Sequence, residues 1–180
     1  MKKLIVLLGV CIAVFAQAAS IDWTVSATKS NRIYGVDGTT VFGKTTGDVA
    51  YLILADYADG VLAALQNGSF SADMAGVVGK SAGFNNFGGV SSSTATSDLM
   101  AENTAYDFVV LYLNGDASQY IMTGVQNSTT SDADTPRSIT FKYSEILNVG
   151  WKSSSGVPEP TSGLLLLVGG AMLALRRKQK

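Results

Sequence analysis

Residues 21–27 alternate strictly: Ile21, Trp23, Val25 and Ala27 are apolar, and Asp22, Thr24 and Ser26 are polar. A period of two predicts a strand with one buried face. Residues 138–143 alternate in the same way and predict the last long strand. Three other stretches, 49–55, 106–113 and 119–125, are nearly continuous apolar runs. Such runs predict strands at the centre of the fold, covered on both faces. Asn114-Gly115-Asp116-Ala117-Ser118 separates the last two and reads as a hairpin loop. Residues 33–36 and 40–42 predict a further hairpin around Asp37-Gly38, a pair that tolerates positive φ. Residues 57–66 set Val61, Leu62 and Leu65 on one face, which predicts a short helix ended by Asn67-Gly68. Residues 69–104 are rich in Gly, Ser and Ala and predict a loop-rich excursion with a short helix near 97–102. Residues 127–136 read as a polar, flexible loop, and 153–156 as a linker. About seven strands with one or two short helices make a mainly β body over 19–152, an antiparallel β-sandwich or an open barrel.

Both ends of the chain are patterned differently. Lys2 and Lys3 precede an apolar stretch, 4–15, and Ala16-Gln17-Ala18 follows. A positive start, a short apolar core and small residues predict a signal peptide over 1–18, with Ala16 and Ala18 read by signal peptidase and cleavage after Ala18. Leu8-Gly9-Val10-Cys11 has the outline of a lipidation motif, but Val10 is too large for its position and the apolar stretch before Cys11 is too short. At the other end Pro158 and Pro160 hold Val157 and Glu159 extended, a shape suited to a protease groove. Thr161 and Ser162 stand where a helix cap would be. Residues 161–175 carry no charge and predict a transmembrane helix of roughly 22 Å, shorter than the roughly 30 Å of a bilayer core. Arg176, Arg177, Lys178 and Lys180 follow as a positive-inside anchor, a basic cytoplasmic stub over 176–180.

The order Pro158-Glu159-Pro160, short apolar helix, basic end resembles the PEP-CTERM sorting signal of Gram-negative bacteria. The resemblance covers about residues 157–180, with 153–160 as linker plus motif. It implies that Pro158, Glu159 and Pro160 are recognised by an exosortase-like enzyme. It also implies export to the cell envelope or extracellular matrix, after a transient or permanent stay in the inner membrane. It implies no activity for the domain in front.

Composition narrows the function. Of 13 Lys and Arg, six belong to the two ends, which leaves seven against all 14 Asp and Glu, a net of −7 over 19–160. An acidic body is a poor partner for phosphates, so nucleic acid is not an expected ligand. The chain has no His, and its single cysteine, Cys11, leaves with the signal peptide. Imidazole and thiolate chemistry are thereby removed, and no cofactor or metal is expected.

The remaining candidates are weak patterns. Residues 83–89 form a glycine-rich run without the lysine of a phosphate loop. Asn114, Asp116 and Ser118 have the first spacing of a calcium loop, but Gln119 and Val125 stand where Gly and Glu belong. Asp132 and Asp134 are a loop pair. Asp107 and Glu145 are the first carboxylates to consider for glycoside hydrolysis. Trp23, Trp151, Tyr34, Tyr51, Tyr57 and Tyr112 are the aromatics available for a sugar-stacking platform or for the core. Asn67-Gly68-Ser69 and Asn127-Ser128-Thr129 match the N-glycosylation pattern by chance in a bacterial-style export system. The expected protein is therefore non-enzymatic. Its alternatives are a carbohydrate-binding module for a polysaccharide matrix and, last, a carboxylate-only hydrolase.

Overall fold

The alternating stretches and the continuous ones end up in different sheets, and burial explains why. The computed structural model describes residues 18–132, 134–142 and 150–154. These are mainly β, with one short α-helix. The strands are β1 (Ala19–Ser26), β2 (Val49–Leu54), β3 (Val77–Lys80), β4 (Ser93–Ser97), β5 (Ala105–Leu113), β6 (Gln119–Met122), β7 (Gln126–Thr129), β8 (Arg137–Lys142) and β9 (Lys152–Ser153). A 3-10 turn, Ala55–Tyr57, leads from β2 into α1 (Ala58–Gln66).

A three-stranded sheet has the order β4-β1-β8. It faces a six-stranded sheet, β3-β2-β5-β6-β9, in which β7 pairs with β5 below β6. In β1 the alternate residues Ala19, Ile21, Trp23 and Val25 are buried in the core between the sheets. Ile139 and Phe141 of β8 and Ala95 of β4 join them there. On the other face only Ser20 of β1, bridged to Ser131, is buried among the described residues, so the sequence alternates.

In the larger sheet both faces are covered. Ala50, Leu52 and Leu54 of β2, with Phe108, Val110 and Tyr112 of β5, point into the same inter-sheet core. Tyr51, Ile53, Val109, Leu111 and Leu113 point the other way, into a second core closed by Val61 and Leu65 of α1. An apolar residue is needed at every position, which is why these runs are continuous. Gly68, at φ 76°, follows the helix end at Asn67.

Several expectations are corrected. The helix expected near 97–102 is absent: Ser97 ends β4 and 98–102 form turns and bends, and the excursion 69–104 contains β3 and β4. The region 127–136 is not a free loop: β7 occupies Gln126–Thr129 and pairs with β5. The stretch 119–125 is not one strand. Leu111 opposes Met122, yet Phe108 opposes Gln126, so one extra residue is inserted. Thr123 accommodates this bulge: its hydroxyl accepts the Val110 amide at 2.8 Å, while its own amide donates to the Val110 carbonyl at 2.9 Å. The hairpin at 33–42 is reduced to a single bridge between Tyr34 and Val41. The linker starts later than 153, because Lys152–Ser153 pairs with β6. Ser154 is buried, and its amide donates to the Ser118 carbonyl at 2.8 Å.

One pairing departs from the antiparallel expectation: β1 and β8 are parallel. More than a hundred residues separate them, so no tight turn dictates their direction. Ala16 of the expected signal peptide, Pro158, Glu159 and Pro160 of the expected sorting motif, the stretch 161–175 expected to be a transmembrane helix, the cations Arg176, Arg177, Lys178 and Lys180, and Glu145 lie outside the described residues. Ala18 immediately precedes β1.

Candidate functional site

The start of β5 builds the most chemically equipped cleft. Asp107 follows Tyr106 near the strand's N-terminal end, and β7 lies alongside it with Asn127 directly opposite Asp107. The Asn127 amide donates to the Asp107 carboxylate at 2.7 Å. Beyond the other edge of β5, β2 ends at Leu54 and turns sharply through the 3-10 segment, which sets Asp56 and Tyr57 beside the same opening. Leu99, on the turn after β4, closes the rim. The result is a cleft of about 380 Å³ lined by Asp56, Tyr57, Leu99, Tyr106, Asp107 and Asn127, among others.

Of the residues singled out in the sequence, Tyr57, Asp107 and Asn127 therefore line one cleft. Asp56, Tyr106 and Leu99 have no local signal in the sequence, and Asn127 stood out only in a glycosylation pattern; strand pairing and the turns beside it bring them together. Tyr57 remains 38% exposed and Leu99 44%, so an aromatic ring and an aliphatic group stand at the mouth. Tyr106 is fixed at the wall by its hydroxyl, which accepts the Ala101 amide at 2.8 Å.

The other candidates disperse. Trp23 and Tyr112 are fully buried between the sheets, and Tyr51 packs against Phe70 under the helix. Burial pushes the Tyr112 phenol well above its ordinary range, only partly offset by the nearby Val90 backbone. The Trp151 ring lies 5.6 Å from that of Phe42, and its indole N–H donates to the Tyr34 carbonyl at 3.1 Å. Those aromatics build the core, not a platform.

The glycine-rich run 83–89 is closed by Asn85. Its side-chain oxygen accepts the Phe87 and Gly89 amides, at 2.9 and 3.0 Å, so these donors are not aimed at a ligand. Asn114, Asp116 and Ser118 hold the hairpin loop together. Asn114 donates to Asp116 at 2.7 Å and accepts the Gln119 amide at 2.7 Å. Hydrogen bonds from the Ser118 hydroxyl and amide, then from Asn114, hold the Asp116 carboxyl below the usual range.

Asp37 and Asp132 are lowered in the same manner. The Thr40 hydroxyl and the Thr39 and Thr40 amides act on Asp37, and the Thr135 hydroxyl and amide act on Asp132. All three acids cap turns. Asp37, Asp48 and Asp116 share a second cleft of about 510 Å³. However, no group of three or more His, Cys, Asp or Glu fit for a metal ion occurs among the described residues. Asp134 stands exposed in its loop. Of the two glycosylation patterns, Asn67 folds back onto the Ser69 amide at 3.0 Å, and Asn127 is bonded to Asp107.

Comparison with protein families, with curated proteins and with solved structures finds no match to this chain.

Proposed function

We propose that this chain is an exported cell-envelope or matrix protein. In this reading signal peptidase removes 1–18, and an exosortase-like enzyme handles the tail at Pro158, Glu159 and Pro160. The body is then a non-catalytic β-sandwich, rather than an open barrel, backed by one helix.

The observation that carries this reading is where the sorting pattern starts relative to the body. Ser154 is tied to the 114–118 loop through its amide, and its hydroxyl donates to the Ala117 carbonyl. Pro158 is four residues further on, at most about 14 Å of extended chain. The uncharged stretch and the four cations follow in order. A membrane enzyme acting at this motif works close against one end of a folded body, the end formed by the 114–118 loop.

Hydrolysis by carboxylates alone is the weaker reading. Asp56 and Asp107 share a cleft, but both are exposed to water, and Asp107 already accepts a hydrogen bond from Asn127. A glycosidase acid that keeps its proton is set in an apolar pocket instead.

The test replaces Pro158, Glu159 and Pro160 by Ala in a host that has the sorting machinery. The expected outcome is a chain retained in the inner membrane with an altered mature mass. Unchanged mass and location would refute the sorting role.

A further inference from the structure

We propose that the cleft at the start of β5 binds a neutral polysaccharide, with the Tyr57 ring as stacking surface and the Asp107–Asn127 pair as the hydroxyl-reading groups. The proposal rests on the export reading above for its biological setting, but not for its chemistry.

Tyr57 is exposed and yet held. Gly76 has φ +90°, and a Cβ built there would come within 2.1 Å of the Tyr57 Cβ and 2.4 Å of its Cγ. The Tyr57 side chain therefore lies directly on a bare stretch of backbone. That backbone is itself fixed, since the Gly76 carbonyl accepts the Leu54 amide at 2.9 Å. A ring placed this way loses little freedom when a ligand stacks on it, which lowers the entropic cost of binding.

The polar side is equally pre-arranged. Asp107 and Asn127 are cross-strand partners joined at 2.7 Å on a hydrogen-bonded sheet. Together they present carboxylate and amide oxygens as acceptors and an amide donor, a set that matches neighbouring hydroxyls. Asp56 adds a second carboxylate, and Leu99 adds an apolar patch for the C–H face of a sugar ring. No Lys or Arg lines the cleft, and the body around it carries excess negative charge. Phosphorylated and acidic ligands are disfavoured on that ground. Neutral, hydroxyl-rich chains are what the lining fits.

The position of the cleft adds a consequence. It opens at the start of β5, whereas Ser154 is tied to the loop that follows the end of β5. Six residue steps from Asp107 to Leu113 span roughly 20 Å along the strand. A molecule held by its tail presents the cleft away from the point of attachment.

Affinity electrophoresis of the full chain in detergent micelles tests this. The gels contain dextran, hydroxyethylcellulose or xylan as neutral polymers, and alginate as an acidic one. At least one neutral polymer is expected to retard the protein, with alginate weaker. Tyr57→Ala and Asp107→Asn are expected to weaken that retardation by about tenfold or more. Tyr34→Ala, also 38% exposed but outside the cleft, is expected to leave it unchanged. Circular dichroism melts of each variant establish that it is folded. No retardation by any neutral polymer overturns the proposal, as does stronger binding to alginate. Equal retardation of folded Tyr57→Ala and Asp107→Asn proteins overturns it too. If the alanine-substituted tail matures normally while sugar binding persists, the sorting reading fails and this one stands.

Discussion

Gly79 lies where the edges of the two sheets pack directly on one another, and enlarging it should push them apart. It lies in β3, at one edge of the six-stranded sheet, opposite β4 at the edge of the smaller one. A Cβ built on Gly79 would sit 2.7 Å from the Ala95 Cβ and 3.1 Å from the Trp23 Nε1. Ordinary carbon contacts are about 3.5–4.0 Å, so Gly79→Ala demands close to 1 Å of movement. Neither neighbour can yield easily. Ala95 is on a paired strand, and both it and the Trp23 indole are fully buried. Overpacking of this kind costs about 1–3 kcal/mol. For a body of roughly 130 residues that corresponds to a melting temperature lower by about 4–11 °C. Thermal unfolding followed by circular dichroism reads it directly. Gly83→Ala is the comparison, since nothing lies within 4 Å of its Cβ position and its φ is not positive. Adding Ala95→Gly to Gly79→Ala should restore part of the loss, a coupling that independent sites do not show. A Gly79→Ala protein melting within 1 °C of the parent would refute the reasoning.

Three further outcomes are expected. Gly60→Ala, on the exposed side of α1 with nothing within 4 Å, should raise stability by about 0.5–1 kcal/mol through helix propensity and a less flexible unfolded chain, measured by urea unfolding. Thr123→Val keeps the side-chain shape but leaves the buried Val110 amide without its acceptor. It should cost about 1–3 kcal/mol and speed hydrogen exchange at Val110. The Asp37, Asp116 and Asp132 carboxyls are lowered in the folded state relative to an unfolded value of about 3.9. Their contribution is therefore fully present above that value and is lost as pH falls through the lower folded ones. The melting temperature should drop below about pH 4, and Asp37→Asn should lower it at neutral pH while making the acid-side fall shallower.

Some of this was visible in local pattern, because local pattern follows from burial on one face or two. The alternation at 21–27 and the unbroken runs at 49–55 and 106–113 mark the outer and the inner sheet. The helix at 58–66, its glycine stop and the 114–118 loop follow from short-range spacing and turn chemistry. Other elements were hidden because their causes are distant. β3 is four residues long and contains a glycine, and it exists because β2 pairs with it. β7 is entirely polar, Gln-Asn-Ser-Thr, and carries no apolar period. Only the unpaired lower half of β5 draws it into the sheet. The break at Thr123 is equally silent, since a threonine accepting a backbone amide looks like any other strand threonine.

The acidic balance, the absence of His, the single Cys at position 11 and the mainly β character are all legible in the amino-acid sequence. Each depends on composition or on neighbours along the chain. The parallel pairing of β1 with β8 and the shared cleft of Asp56, Tyr57, Asp107 and Asn127 come from tertiary structure alone. These residues are up to about seventy positions apart. What joins them is the pairing of β5 with β2 on one side and β7 on the other, and backbone hydrogen bonds between distant strands leave no mark in local spacing.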